Sequence, residues 1–310
     1  MTNSFLNVLK NPFIIAYIVL YAVSLILLHC IASFDLTEPL FLFVIAGIGF
    51  SSLAWWATKH IEPFKLPVQH PLSECGVLAM YLLVVVAFLT WGLEIIGSSV
   101  HAEPLTSVLI LVAKLAVFVV FPFLFFRWLW KYRLPDFFGH SFGGRKAWWV
   151  VLLMSTVLIV FQMSLGQGLN EISRAGLAGW TLTLGIPFVY VLLLLEVGIV
   201  EEFFFRGLLQ ARIAALLKSE IAGVVLTAVL FGMAHAPGFY FRTGKTLELL
   251  GPSPSFVVCI SYSIVITSMV GLFMGIIWAR TKNLTILIVI HAAGDLVPNI
   301  AATLGAWHLR

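Results

Sequence analysis

The sequence predicts an all-α fold, a polytopic membrane helical bundle of about 8–9 transmembrane helices. Of its 310 residues, 61% are hydrophobic and only 10% are charged, whereas about a quarter of a soluble domain is charged. Apolar runs of roughly the 20 residues that a membrane-spanning helix needs recur along the whole chain. Tryptophans gather near the ends of these runs, as in the aromatic belts of membrane proteins. A water-soluble fold could not bury this much apolar surface.

The apolar runs give nine candidate spans, which short polar connections separate. They lie near 13–34, 37–58, 75–98, 105–126, 147–165, 180–200, 220–237, 255–279 and 284–306. Segment 203–218 has two interpretations: it lies along the membrane interface, or it continues the helix that begins near 180. Because no internal repeat or polar domain interrupts the pattern, we expect one continuous membrane domain.

Basic residues are distributed asymmetrically among the connections. With the N-terminus on the inner side, thirteen Lys and Arg residues fall in inner segments and four in outer ones, which the positive-inside rule favours. The net charge of +4 therefore reflects membrane topology, and we expect no nucleic-acid partner. Cys30, Cys75 and Cys259 are scattered without a CxxC pair, so we expect packing residues and neither disulfides nor a zinc cluster.

The informative residues are the ionisable ones within or beside the apolar runs. An ionised side chain in hydrocarbon costs at least ~2.5–3.5 kcal/mol, so such groups face the protein interior and pair with one another. They are Glu94, Lys114, Glu196, Glu201, Glu202, Arg206, His235, His291 and Asp295. Glu196 either pairs with Lys114 or lines the same cavity as Glu201, and Glu94 receives no role.

The first motif is the stretch VEEFFFRG, residues 200–207. On a helix Glu202 and Arg206 share a face, which predicts an ion pair. Glu201 is rotated by about 100° from Glu202, so one carboxylate is neutralised and the other stays available for chemistry. The alternative is a solvated helix face at the membrane interface.

Two further motifs carry histidine four residues from a partner. Phe231 and His235 share a helix face, although a backbone carbonyl could simply satisfy such a histidine. His291 and Asp295 are separated by three small residues, 292–294, which permit the close approach of a neighbouring helix or of a substrate. An aspartate can also orient a purely structural imidazole.

Distances from the turns predict which of these residues meet. If the helix runs through 203–218, Glu201 and His235 stand ~27 Å and ~24 Å from the turn near 218–219, at nearly one depth. His291 lies only ~13 Å from the turn near Lys282 and fits this depth less well.

The three motifs in this order resemble the CPBP family, named for CAAX proteases and bacteriocin-processing enzymes. Its signatures EExxxR, FxxxH and HxxxN/D match Glu201-Glu202-xxx-Arg206, Phe231-xxx-His235 and His291-xxx-Asp295. The resemblance covers about residues 195–300. It implies a glutamic-type intramembrane endopeptidase that acts on a membrane-associated protein or peptide. Residues 1–180 are then N-terminal helices without a motif, and residues 181–310 are the catalytic core.

The resemblance also implies roles for the motif residues. Glu201 and His235 would activate a water, His291 and Asp295 would stabilise the oxyanion, and Glu202 with Arg206 would fix the helix register. Phe231 would support the site. Asp295 stands where many members have asparagine, so it either keeps His291 protonated or is itself neutral and donates.

Other functions remain open at this point. Glu201, His235, His291 and Asp295 are all acceptable ligands of zinc, but HExxH is absent, and we expect metal-independent chemistry without a cofactor. Buried Glu, His and Asp could also form the path of a proton- or ion-coupled transporter, and a non-catalytic protein that binds a membrane partner is a third alternative. We expect a multi-pass integral protein of the cell membrane, most simply of a bacterial inner membrane, with the lipid bilayer as its surroundings.

Overall fold

The computed structural model describes residues 10–62, 64–100, 102–139, 144–241, 250 and 253–309. Nine helices in this part of the chain are long and apolar enough to cross a membrane, and they are numbered α1 to α9. Their bounds are Pro12–Ala32, Thr37–Thr58, Pro71–Ser99, Leu105–Trp130, Arg145–Leu165, Gly179–Leu217, Glu220–Phe241, Phe256–Thr281 and Leu284–Ala306. Short helices cover Pro135–Phe138 and Gly168–Arg174. The predicted all-α, polytopic membrane helical bundle is confirmed.

Helix α6 is the longest of the nine, with 39 residues. Segment 203–218 therefore continues the helix that begins at Gly179, which is one of the two interpretations of the sequence. As a regular helix it would be about 58 Å long, against a hydrocarbon core of about 30 Å. Leu194–Ile199 and Glu202–Gln210 are π-helical. Glu201 lies between these two segments, and the second begins at Glu202; three further π-helical segments in the described part of the chain, Phe43–Phe50, Phe88–Gly92 and Ala116–Val120, lie away from the motifs.

The chain divides into two compact units. The first comprises Met1–Trp56, Val68–Trp91 and Leu208–Arg280, and the second comprises Ala57–Pro67, Gly92–Gly207 and Thr281–Arg310. The division of the sequence at residue 180 into N-terminal helices and a core stays a prediction.

In the first unit, small residues let α7 and α8 approach closely. A Cβ atom on Gly271 would lie 2.7 Å from the Cα of Ala228, so a larger residue could not stand at this crossing. The end of α6 is bonded to α8, because Gln210 Nε2 donates to the carbonyl of Gly275 at 2.8 Å. A side-chain amide that bonds a backbone carbonyl between helices is a common means of association in membranes.

A buried ion pair also holds the first unit together. Arg212 Nε lies 3.0 Å from Glu74 Oε2, and both side chains are almost fully buried. The other oxygen of Glu74 accepts the backbone N–H groups of Gln69 and His70 at 3.1 and 2.8 Å. The Glu74 carboxylate thus links the start of α3 to the last turns of α6. Without it, the buried Arg212 would be an uncompensated charge, which is costly.

In the second unit, α9 is the central helix. Two thirds of its apolar window (67%) is buried, the largest share among the nine spans. Glycines allow its neighbours to come close: a Cβ on Gly185 would lie 2.8 Å from the Leu304 side chain, and one on Gly168 would lie 2.5 Å from the carbonyl oxygen of Val297. Burial on several sides makes α9 a fixed support for the residues that it carries.

An aromatic layer fixes the part of α6 that follows the glutamates. The ring of Phe203 packs against those of Phe137 and Phe138, with centroids 5.4 and 6.2 Å apart. The short helix that carries Phe137 and Phe138 ends at Gly139. This glycine has a φ of +69° and lies directly against the carbonyl of Lys282. Only a residue without a side chain fits there, so the layer is anchored to the turn that precedes α9.

Candidate active site

The second unit brings the glutamates of α6 and the histidine of α9 together at a close helix crossing. Gly198 lies against Ile288, where an added Cβ would stand 2.8 Å from the carbonyl oxygen. Glu201 and His291 each follow this contact by three residues, about one helical turn. Tyr190 secures the same pair of helices, since its hydroxyl donates to the carbonyl of Val289 at 3.2 Å.

His291 lies between two carboxylates. Its Nδ1 is 2.6 Å from Glu202 Oε1, and its Nε2 is 3.8 Å from Glu201 Oε2. The first distance is that of a charge-assisted hydrogen bond, in which Nδ1–H donates to the carboxylate. This bond fixes the ring and turns Nε2 towards Glu201.

Glu202 has a second partner, Arg206. The guanidinium Nε lies 3.3 Å from Glu202 Oε2, and both side chains are buried, which confirms the ion pair predicted from the spacing. Buried charges persist where they are paired and hydrogen-bonded. Sequence reasoning gave Glu202 only this partner and missed its bond to His291. The sequence did contain a hint of this second bond. A carboxylate has two oxygens, so a Glu202 paired with one arginine can still accept a hydrogen bond from another buried donor.

Glu201 differs from Glu202 in its surroundings. About a fifth of its side chain is exposed (20%), whereas that of Glu202 is wholly buried. Its Oε2 is shielded and has no hydrogen-bond partner among the described residues. The 3.8 Å to His291 Nε2 exceeds hydrogen-bonding distance. The two glutamates therefore differ in burial, although both approach the same imidazole.

Asp295 is the most exposed member of the group. Its Oδ2 is 3.9 Å from His291 Nε2, and 38% of its side chain is accessible. Its backbone carbonyl accepts a hydrogen bond from Asn299 Nδ2 at 2.7 Å, beside Pro298, which lacks an N–H. Among the small residues before it, Gly294 faces Leu158 of α5, so a neighbouring helix makes the predicted close approach.

His235 and Phe231 lie in the first unit, on α7. His235 Nδ1 is 2.8 Å from the carbonyl oxygen of Phe231, and their rings are 4.8 Å apart. The backbone carbonyl foreseen as an alternative partner is therefore present. With Nδ1–H donating, Nε2 of the neutral ring is an acceptor. The common depth of His235 and Glu201 stays a prediction.

A second ion pair lies in the spans of this unit. Lys114 Nζ is 2.8 Å from Glu196 Oε1, and the two side chains are 18% and 35% exposed. Of the two roles considered for Glu196, pairing with Lys114 is confirmed. Within the described ranges, no three His, Cys, Asp or Glu side chains are grouped so as to hold a metal ion. Metal-independent chemistry stays a prediction.

Residues 183–297 match the family model described as "Type II CAAX prenyl endopeptidase Rce1-like". This segment, a little over a third of the chain, contains all three motifs from Glu201 to Asp295. No curated protein and no solved structure was found to be similar to the chain. The predicted resemblance is confirmed for this segment. The chain therefore carries an Rce1-like domain of the CPBP, or CAAX protease, family within a multi-pass membrane protein.

Proposed function

We propose that this protein is a glutamic-type endopeptidase that hydrolyses a peptide bond in or near the membrane-embedded segment of a protein substrate. One observation carries the proposal: a single imidazole is fixed by a buried carboxylate on one side and faces a partly exposed carboxylate on the other. Amide hydrolysis needs a base for water, a donor for the oxyanion and a proton for the leaving amine. The family match favours this function over a transporter or a partner-binding protein.

Glu201 is the base in this mechanism. Its Oε2 and His291 Nε2 are separated by a distance that a water can bridge. Glu201 accepts a proton from that water, and the oxygen attacks the carbonyl carbon of the scissile bond. The protonated Glu201 then gives its proton to the leaving nitrogen as the carbon–nitrogen bond breaks. The family match also covers His235, whose acceptor Nε2 we assign to the second hydrogen of the water.

His291 stabilises the oxyanion. In its protonated form it donates Nδ1–H to Glu202 and keeps Nε2–H for the oxygen of the tetrahedral intermediate. Asp295, 3.9 Å from Nε2, supports the imidazolium and does not meet the oxyanion itself. Glu202 and Arg206 act as positioning residues, because Glu202 fixes the ring from the buried side and Arg206 pairs with Glu202. Removing one oxyanion donor typically costs about 10²–10³ in kcat.

The substrate class follows from the family description, which names a CAAX prenyl endopeptidase. We propose a prenylated C-terminal tail first, with leader peptides and C-terminal sorting helices as the alternatives. We also propose that no metal takes part. The substrate class can be tested by offering three peptides, one of each class, to the protein in nanodiscs and identifying the products by mass spectrometry. A strong chelator added to the same assay would test whether a metal takes part.

Substitution of Glu201 by glutamine tests the mechanism. The change keeps the shape of the side chain and removes its basicity, so cleavage should fall by about 10²–10⁴-fold. Glu94→Gln is the matched control, since it makes the same change in another span, away from the motifs. Undiminished cleavage by the Glu201→Gln variant would remove Glu201 from the mechanism.

A further inference from the structure

The second unit contains a cavity of about 580 Å³ apart from the motif residues. Its walls come from residues 60–62, from the first residues of α5 and from the turn between Thr281 and Ile286. Binding sites for small molecules commonly have volumes of about 300–1,000 Å³. The cavity is therefore large enough for a ligand of that size.

The cavity lies at the inner membrane surface in the orientation that the basic residues favour. Its walls adjoin the end of α2, the start of α5 and the start of α9, which an alternating topology places on one side. The structure buries Arg206 and Arg212 in ion pairs, so eleven basic residues remain in inner segments against four in outer ones. The positive-inside rule still favours this side as the cytoplasmic one.

Two exposed cations, Arg145 and Lys146, give the cavity its charge. Lys146 Nζ donates to the carbonyl of His60 at 2.9 Å, which holds the ammonium group at the wall. Glu62 is the one carboxylate among the lining residues. Both cations lie in the first turn of α5, at the positive end of the helix dipole, where an anion would be stabilised. No acidic residue in that turn offsets this positive charge.

The next residues of α5 place this cavity at the level of the lipid headgroups. Trp148 and Trp149 directly follow the two cations and are 58% and 51% exposed. Exposed tryptophans beside basic residues are typical of the boundary between hydrocarbon and water. A ligand with an anionic group and an apolar part would meet complementary surfaces here.

We propose that this cavity binds the phosphate headgroup of an anionic phospholipid. The phosphate lies between Arg145 and Lys146, and the acyl chains leave along the exposed face of α5. Basic pockets between helices on the cytoplasmic side are suited to such headgroups. Free inorganic phosphate shares the charge but lacks the apolar part, so the two sources can be separated by experiment. The proposal is independent of the peptidase chemistry.

The test compares lipid retention in variants of equal charge. The full-length protein is taken from nanodiscs of phosphatidylcholine with roughly 20 mol% phosphatidylglycerol, so that a neutral and an anionic lipid compete, and bound lipid is counted by native mass spectrometry. Arg145→Gln/Lys146→Gln should weaken phosphatidylglycerol retention by about thirtyfold, at the usual contribution of two basic residues near an anionic surface. Lys65→Gln/Arg133→Gln removes two exposed inner cations that do not line the cavity and should leave retention unchanged.

Three results would overturn the proposal. The wild-type protein could retain phosphatidylglycerol no better than phosphatidylcholine, a measurement that needs no variant to fold. The control variant could lose as much lipid as the cavity variant, which would indicate a diffuse surface attraction. Inorganic phosphate could displace the lipid completely at millimolar concentration, which would assign the cavity to a soluble anion.

Discussion

The close crossing of α6 and α9 gives a prediction whose magnitude follows from the coordinates. A methyl group on Gly198 would lie 2.8 Å from the carbonyl oxygen of Ile288 and 3.0 Å from its Cγ2. Ordinary contact begins near 3.4 Å, so Gly198→Ala must separate the helices by about 0.6 Å, which is overpacking. Because Glu202 and His291 are one turn beyond the contact, their 2.6 Å bond should lengthen to about 3.2 Å.

The substitution should affect both catalysis and stability. Overpacking costs about 1–3 kcal/mol, while a misplacement of about 1 Å at a reacting centre costs roughly 10²-fold in rate. We therefore expect kcat to fall by about 10–100-fold and the melting temperature to fall by a few degrees. The assay is cleavage of the best of the three peptides, with thermal unfolding measured in the same nanodiscs.

Gly97→Ala is the matched control for this prediction. Gly97 also lies in a membrane-spanning helix of the second unit, but an added Cβ would have no atom within 4 Å. Alanine is favoured over glycine in a helix by about 1 kcal/mol, so this variant should be as stable and as active as the wild type. Full activity in the Gly198→Ala protein would refute the argument that the crossing sets the distance between the glutamates and His291.

Three further predictions concern charged pairs. Arg206→Met removes the arginine partner of the buried Glu202, which keeps His291 as its partner, and should cost about 3–5 kcal/mol of unfolding free energy, seen as a lower melting temperature; an unchanged value would contradict the pairing. Glu74→Gln and Arg212→Gln break one buried pair, so a double-mutant cycle by denaturant unfolding should show strong coupling, and additive losses would count against it. Lys114→Met should lower membrane-inserted yield because Glu196 loses its partner; the exchanged pair Lys114→Glu/Glu196→Lys should restore it, and failure to do so would contradict a charge-based role.

The spans were predictable because hydrophobic composition and length decide them, and the difficult segment was 203–218. Its polar residues resembled those of an interfacial helix. In the structure three of them have buried partners: Arg206 contacts Glu202, Gln210 bonds the carbonyl of Gly275, and Arg212 pairs with Glu74. The spacing of the segment predicted the first partner, but it could not reveal the other two, which lie more than sixty residues away.

The contact between Glu202 and Arg206 was predictable from their spacing, whereas the contacts between α6 and α9 were not. An α-helical rotation of about 100° separates Glu201 from Glu202, which predicted two unrelated environments. The imidazole of His291 has a nitrogen on each side, however, so one ring reaches both carboxylates. The distance of His291 from the turn near Lys282, estimated from the sequence, placed this residue at a different depth from Glu201. That estimate did not include the crossing of α6 and α9 at Gly198 and Ile288. That crossing depends on the absence of a side chain at Gly198, and its contact with Ile288 forms only in the folded chain.

The site residues differ in burial in a way that matches their proposed roles. Arg206 and Glu202 are buried, His291 is nearly so, and Glu201 and Asp295 reach the surface of the second unit. A group that holds another in place works best where water cannot compete for its hydrogen bonds, whereas a group that takes a proton from water must be reachable. Substitutions in the buried pair should therefore affect every substrate alike. Substitutions at Asp295, the most exposed member, should instead change the relative rates of different peptides, because an exposed side chain can contact a substrate directly.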